Sequence, residues 1–135
     1  MDKFVALLIG SLSLTVLGAA FAATPDGSKE VSTALAHAEM AVAAKDLKTV
    51  DMHLHHVVNC IVGPKGRGFD ASAGAPCKDM GDGALNDSTM DKALHAKLEG
   101  VLHEADRGLK DKSYDGAKKV AEAVADRLKA ADKAK

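Results

Sequence analysis

Aromatic residues are nearly missing from this chain of 135 residues, which has no tryptophan, one tyrosine and three phenylalanines. Phe4 and Phe21 lie in the opening segment, so only Phe69 and Tyr114 remain beyond it. That scarcity removes the stacking platforms on which single strands of nucleic acid are held. It leaves Leu, Val and Ala to build the core, and these pack best as closely spaced helices. An excess of charge is missing too, with 18 basic and 19 acidic residues. The basic residues are scattered, so the electrostatic footprint of nucleic-acid binding is absent. There is no C-x-x-C-H for covalent haem attachment and no zinc-finger or H-E-x-x-H spacing. No nucleophile–base–orienter set is readable, so an enzyme is not expected.

What is present begins with an address. Lys3 supplies a short positive region, and Phe4 to Leu17 is apolar apart from Gly10, Ser11, Ser13 and Thr15. Ala20-Phe21-Ala22 then gives the small-x-small pattern of a cleavage site. The run is too short for a comfortable bilayer span, so no stable membrane span is expected after cleavage. The expectation is a signal peptide over residues 1–22, removed after Ala22 with Ala23 as runner-up, and a periplasmic protein. Residues 23–135 suit a single domain. The two cysteines, Cys60 and Cys77, are expected to pair as a disulfide in that oxidising compartment. Such a bond would stabilise the fold by roughly 3 kcal/mol in the chain-entropy account.

Periodicity points to an all-α fold. Ser28 reads as an N-cap, after which Val31, Leu35, Ala38 and Val42 mark one apolar helix face. A turn at Lys45-Asp46 leads to a second helix carrying Leu47, Val50, Leu54, Val57 and Ile61, stopped by Gly63-Pro64. Residues 63–87 form a long loop rich in glycine and small residues, tethered by the disulfide. Ser88 followed by Asp91 resembles a capping box for a third helix with Leu94, Leu98, Leu102, Ala105 and Leu109. After Lys112-Ser113, a fourth helix carries Ala117, Val120 or Ala121, Val124 and Leu128. Shifting the first hairpin so that Val31 falls on Leu98 places every later core position on a core position. This predicts an up-down-up-down four-helix bundle of two helical hairpins, with the 63–87 loop between helices 2 and 3.

The candidate site is the stretch Met52 to Cys60, which holds His53, His55 and His56 on the second helix. Histidine is the commonest metal ligand, and neutral imidazole suits Cu(II), Ni(II) and Zn(II). At 3.6 residues per turn, His53, His56 and Cys60 share a flank, and His55 lies opposite. His53 and His56 can converge on one ion, so His55 must serve something else. On the third helix His95, Glu99 and His103 form a ladder of secondary candidates, for which ordinary helix-surface pairing is the competing reading. His37 stands alone on the first helix, where a solvated histidine is the ordinary outcome. Met40, Met52, Met80 and Met90 offer soft thioethers for Cu(I), though methionine more often fills gaps. Asp79, Asp82, Asn86 and Asp87 lack the spacing of a calcium loop.

The segment Val31-Ser32-Thr33-Ala34-Leu35-Ala36-His37-Ala38-Glu39-Met40-Ala41-Val42-Ala43, continuing to Leu54-His55, resembles the small metal-binding protein family of the bacterial periplasm. The stretch from Ala93 through Ala130 looks like the matching repeat. The resemblance implies an exported helical bundle with His-Ala-Glu-x-Ala units, associated with copper and other divalent ions, and it touches His37 and His55 most directly. This chain has fewer histidines than that family, and the Asn59-Cys60 to Pro76-Cys77 loop has no counterpart in it.

The function expected is therefore periplasmic binding of a transition metal, copper foremost with nickel or zinc next, for storage, delivery or sequestration. The metal ligands expected are His53, His55 and His56, then His95, His103 and Glu99, with His37 last. The rival is a protein-interaction or stress-adaptor module whose glycine-rich loop meets a protein partner in the cell envelope. A non-covalent haem carrier comes third, disfavoured by the lack of aromatic lining.

Overall fold

Short polar side chains start three of the helices by accepting a free amide of the first turn, the ordinary work of an N-cap. Asp46 accepts from the amide of Thr49 at 2.8 Å, Asp91 from Leu94 at 2.9 Å and Ser113 from Gly116 at 3.1 Å. In the computed structural model, which describes residues 27–133, these caps open α2 (Leu47–Val62), α4 (Lys92–Lys110) and α5 (Tyr114–Asp132). They are preceded by α1 (Ser28–Ala43), and a short α3 (Ala84–Asp87) precedes α4. The predicted signal peptide and its cleavage point lie outside the described residues. Five helices and no strand are present among the described residues.

Two predicted helix starts move. Ser28 is the first residue of α1, with Gly27 in the capping position and no side-chain cap bond. Asp91 alone caps α4, while the Ser88 hydroxyl donates back to the Leu85 carbonyl at 3.3 Å and closes α3. The 63–87 segment is also less irregular than expected, since it holds α3 and a 3-10 turn at Ala71–Ala73. Elements of three or four residues have no apolar period to read, so pattern could not reveal them.

α1 packs against α2 and α5, α4 packs against α5 and α2, and α2 also meets α5. The core runs through Val50, Leu54, Val57 and Ile61 of α2, Leu98 and Val101 of α4, and Val124 and Leu128 of α5, all fully buried. On α1 the buried line is Val31, Ala34, Ala38 and Ala41, with Leu35 and Val42 only partly covered. The face is rotated from the expected one because alanine lets the neighbouring helices come close. On α4, Gly108 does the same, as a Cβ there would lie 2.8 Å from Leu54 Cδ1 and 2.9 Å from Val120 Cγ1.

The loop after α2 is bound down at both ends. Gly63 has φ 71°, and a Cβ there would overlap the Asp82 carbonyl, so the chain crosses itself backbone to backbone at the loop's neck. Cys60 and Cys77 form the expected disulfide, with Cα atoms 5.2 Å apart. Phe69 packs against the core from above. No described helix is long and apolar enough to cross a membrane.

Candidate metal centre

The turn Ala44–Asp46 is short, so α1 and α2 lie side by side and residues equally far from Lys45 come level. His37 and His53 are such a pair, and His56 lies one helical turn beyond His53. Nδ1 of His37 is 3.2 Å from Nδ1 of His53 and 3.2 Å from Nδ1 of His56. The ring centroids are 4.5–5.7 Å apart. One ligand nitrogen from each ring lies within 4.8 Å of the other two. Among the described residues this is the only such group of three or more histidine, cysteine or acidic side chains. All three rings are half-buried.

The protons on these rings can be assigned from their neighbours. Nε2 of His56 is 2.5 Å from the carbonyl of Ala73. A carbonyl only accepts, so Nε2 carries the hydrogen, and neutral His56 presents a bare lone pair at Nδ1. Nδ1 of His37 has either one proton or one lone pair, so it completes a hydrogen bond with one neighbour and not with both. The arrangement is thus under-satisfied as a purely hydrogen-bonded cluster.

Burial, and then the nearby His56 and His53, push His37 down to about 4 from its ordinary 6.5. Burial and then His56 lower His53 also. Both are therefore neutral at neutral pH, as a metal ligand must be. A consequence is measurable in the metal-free protein. The unfolded chain takes up a proton at His37 near pH 6.5 and the folded chain only near 4. The unfolded state binds more protons across that window, so stability is present above it and is lost as the pH falls through it. NMR titration should find the His37 imidazole neutral well below pH 6.5. An ordinary midpoint would show that the rings do not cluster.

The Ala73 carbonyl is held in place by Asn59, which is 2% exposed. Its side-chain nitrogen donates to the carbonyls of Asp70 at 2.8 Å and Gly74 at 2.6 Å. Its oxygen accepts from the Asp70 amide at 2.8 Å. Gly74, at φ 99°, passes so close that a Cβ would sit 3.3 Å from Nε2 of His56. The 3-10 turn is thereby clamped over the histidines.

The other candidates lie elsewhere. His55 faces away from the cluster, with Nδ1 3.8 Å from the Asp70 carboxylate and no hydrogen-bond partner among the described residues. It shares that flank with Asp51, whose carboxyl burial raises against the opposing pull of Lys112 and His55. His95 donates from Nδ1 to the Leu85 carbonyl at 3.0 Å and pairs with Glu99 at 3.8 Å, joining α4 to α3. His103 and Glu99 are exposed on the outer face of α4. Asp82, Asn86 and Asp87 bond to one another around the start of α3. Cys60 lies one turn after His56, but its sulfur is in the disulfide.

The period of a single helix brings His53 and His56 together but says nothing of His37 on its neighbour. The missed signal is its symmetry with His53 about the turn. Asn59 lies within the Met52 to Cys60 stretch, and sequence alone assigns it no role because its partners lie in the loop.

No protein-family model matches the chain, and neither a curated protein nor a solved structure does. The functional reading therefore rests on the chemistry of the site.

Proposed function

We propose that the protein binds one transition-metal ion through Nδ1 of His37, His53 and His56. The observation that carries this reading is the approach of Nδ1 of His37 to both other Nδ1 atoms at 3.2 Å. Two nitrogens each about 2.0–2.1 Å from a tetrahedral ion lie about 3.3 Å apart. A cation at the centre would accept all three lone pairs at once, which hydrogen bonding cannot do here. The bond from His56 to the Ala73 carbonyl is the usual outer support of a ligating histidine, fixing both tautomer and ring orientation.

Three protein ligands leave a fourth position open, which suits an ion that must be passed on. Storage, delivery or sequestration in the periplasm fits this, by a chain exported through residues 1–22 and folded as two hairpins in an up-down-up-down bundle. Imidazole alone admits Cu(II), Ni(II) and Zn(II). Copper is favoured by the exposed thioethers of Met40 and Met52, 47% and 41% accessible. They lie one turn from His37 and His56 respectively, toward the Ala44–Asp46 end of the two helices.

Calorimetric titration of Cu(II), Ni(II) and Zn(II) into metal-free mature protein tests the proposal. One ion per chain, bound at micromolar affinity or tighter, is the expected result. Only weak, unsaturable uptake would refute it.

A further inference from the structure

We infer that the Cys60–Cys77 disulfide gates the metal site, holding the Ala73 carbonyl on His56 when oxidised and releasing it when reduced. The inference rests on the metal-binding reading above and adds its regulation.

Cys60 follows His56 by one turn on the same flank of α2, and Cys77 follows the clamped segment Asp70–Gly74. The bond, with a sequence separation of 17, therefore ties to α2 the strand of chain that carries the outer partner of His56. Between Gly63 and Gly83 the chain has no regular element beyond one 3-10 turn. It is attached by the disulfide, the three hydrogen bonds of Asn59, the packing of Phe69, the bond from His56 to Ala73, the backbone crossing at Gly63 and Asp82, and the Thr33 hydroxyl on the Met80 sulfur at 3.5 Å. Removing the covalent tie leaves Ala73 held by noncovalent contacts alone, so the segment opens at a lower free-energy cost and its carbonyl leaves His56 more often.

The bond is also approachable. A cavity of about 370 Å³ is lined by Asn59, Cys60, Phe69, Cys77 and Lys78. Cys60 is fully buried and Cys77 only partly, so an incoming dithiol meets Sγ of Cys77 first. Its thiolate bonds to that sulfur, the Cys60–Cys77 bond breaks, and Cys60 leaves as a thiolate that takes up a proton. The second thiol of the dithiol then displaces Cys77, leaving two cysteine thiols and an oxidised dithiol.

Loss of the outer partner of a ligating histidine typically weakens affinity by roughly 10–100-fold. Coupling is reciprocal, so bound metal must make the disulfide harder to reduce by the same factor. That factor corresponds to about 30–60 mV at about 30 mV per tenfold for two electrons.

Two measurements decide the matter. Zn(II) affinity is determined by chelator competition for the oxidised protein and for Cys60→Ser/Cys77→Ser, whose helicity is checked by circular dichroism. In parallel the full chain is poised in dithiothreitol redox buffers, with and without a fixed saturating free Zn(II), the potential of each being set from the dithiol not bound to zinc, and the oxidised fraction is read by thiol alkylation. The expected result is roughly 10–100-fold weaker binding in the folded double variant and a matching resistance to reduction with metal bound. Equal affinities, or metal that makes reduction easier because a freed thiolate joins the site, would overturn the gating. If the double variant does not fold, the redox titration of the unaltered chain decides alone. No saturable Zn(II) binding by the oxidised protein would instead remove the metal reading itself, and the gating with it.

Discussion

His37→Ala is expected to abolish stoichiometric metal binding as completely as His56→Ala, whereas His55→Ala should leave it intact. Nδ1 of His37 is the atom that approaches both partners at 3.2 Å. Without it the two remaining imidazoles, three residues apart on α2, make an exposed two-ligand site. The loss should exceed the roughly 10–100-fold that a merely supporting residue contributes. His55 points toward Asp70, 3.8 Å away, and has no part in the cluster. The same variants separate ligation from packing. His37 is held neutral by burial and then by the His56 and His53 rings, and its Nδ1 can satisfy only one of the two nitrogens it approaches, so replacing His37 by leucine should not reduce, and can raise, the stability of the metal-free protein. Sites kept for binding at a cost in stability behave in this way. In the unaltered protein an ion at a hundred times its dissociation constant adds about 2.7 kcal/mol, a rise of roughly 10 °C in melting temperature. That increment should vanish in His37→Leu and His56→Ala and persist in His55→Ala. A metal-dependent rise that survives His37→Leu but is lost in His55→Ala would place the site on the other flank of α2.

The contrast between His37 and His55 also shows what is legible in a single chain. Periodicity is a property of one helix, and it correctly set His53 and His56 apart from His55. Which flank of α2 faces another histidine is a property of two helices and depends on the length of the turn between them. The same limit explains α1, where Leu35 and Val42 marked the apolar face but Ala34 and Ala41 are the residues buried. Alanine carries little hydrophobic signal, yet it decides how closely helices approach. On α4 the burial of Val101 and Gly108 reflects that same closeness. The disulfide was legible because two cysteines admit one pairing. The 3-10 turn, α3 and the clamp over His56 were not, since backbone carbonyls such as that of Ala73 leave no mark in side-chain pattern.

Asn59→Ala should impair both stability and metal binding while leaving all three candidate ligands in place. Asn59 is buried and makes three hydrogen bonds to the loop backbone. Alanine would leave the Asp70 amide and the Asp70 and Gly74 carbonyls without their partner. A buried unsatisfied group costs about 1–3 kcal/mol, but part of that cost is relieved as the turn lifts and its backbone meets water. A net loss of about 2–3 kcal/mol is therefore expected, or a melting temperature lower by roughly 10 °C. Once the turn lifts, the Ala73 carbonyl no longer fixes the hydrogen on Nε2 of His56, and affinity should fall by roughly 10–100-fold. A purely structural role would lower the melting temperature and leave the affinity of the folded protein unchanged. The ¹⁵N shifts of His56 distinguish the two directly. In the unaltered protein they should report a single tautomer with hydrogen on Nε2, and in Asn59→Ala a mixture of the two. Asn59→Asp sharpens the comparison, because a carboxylate can still accept from the Asp70 amide but repels the two carbonyls it now faces. It should therefore resemble the alanine variant rather than the parent. Retention of the single tautomer in both variants would mean that the Ala73 carbonyl is held on His56 by the disulfide and Phe69 without Asn59.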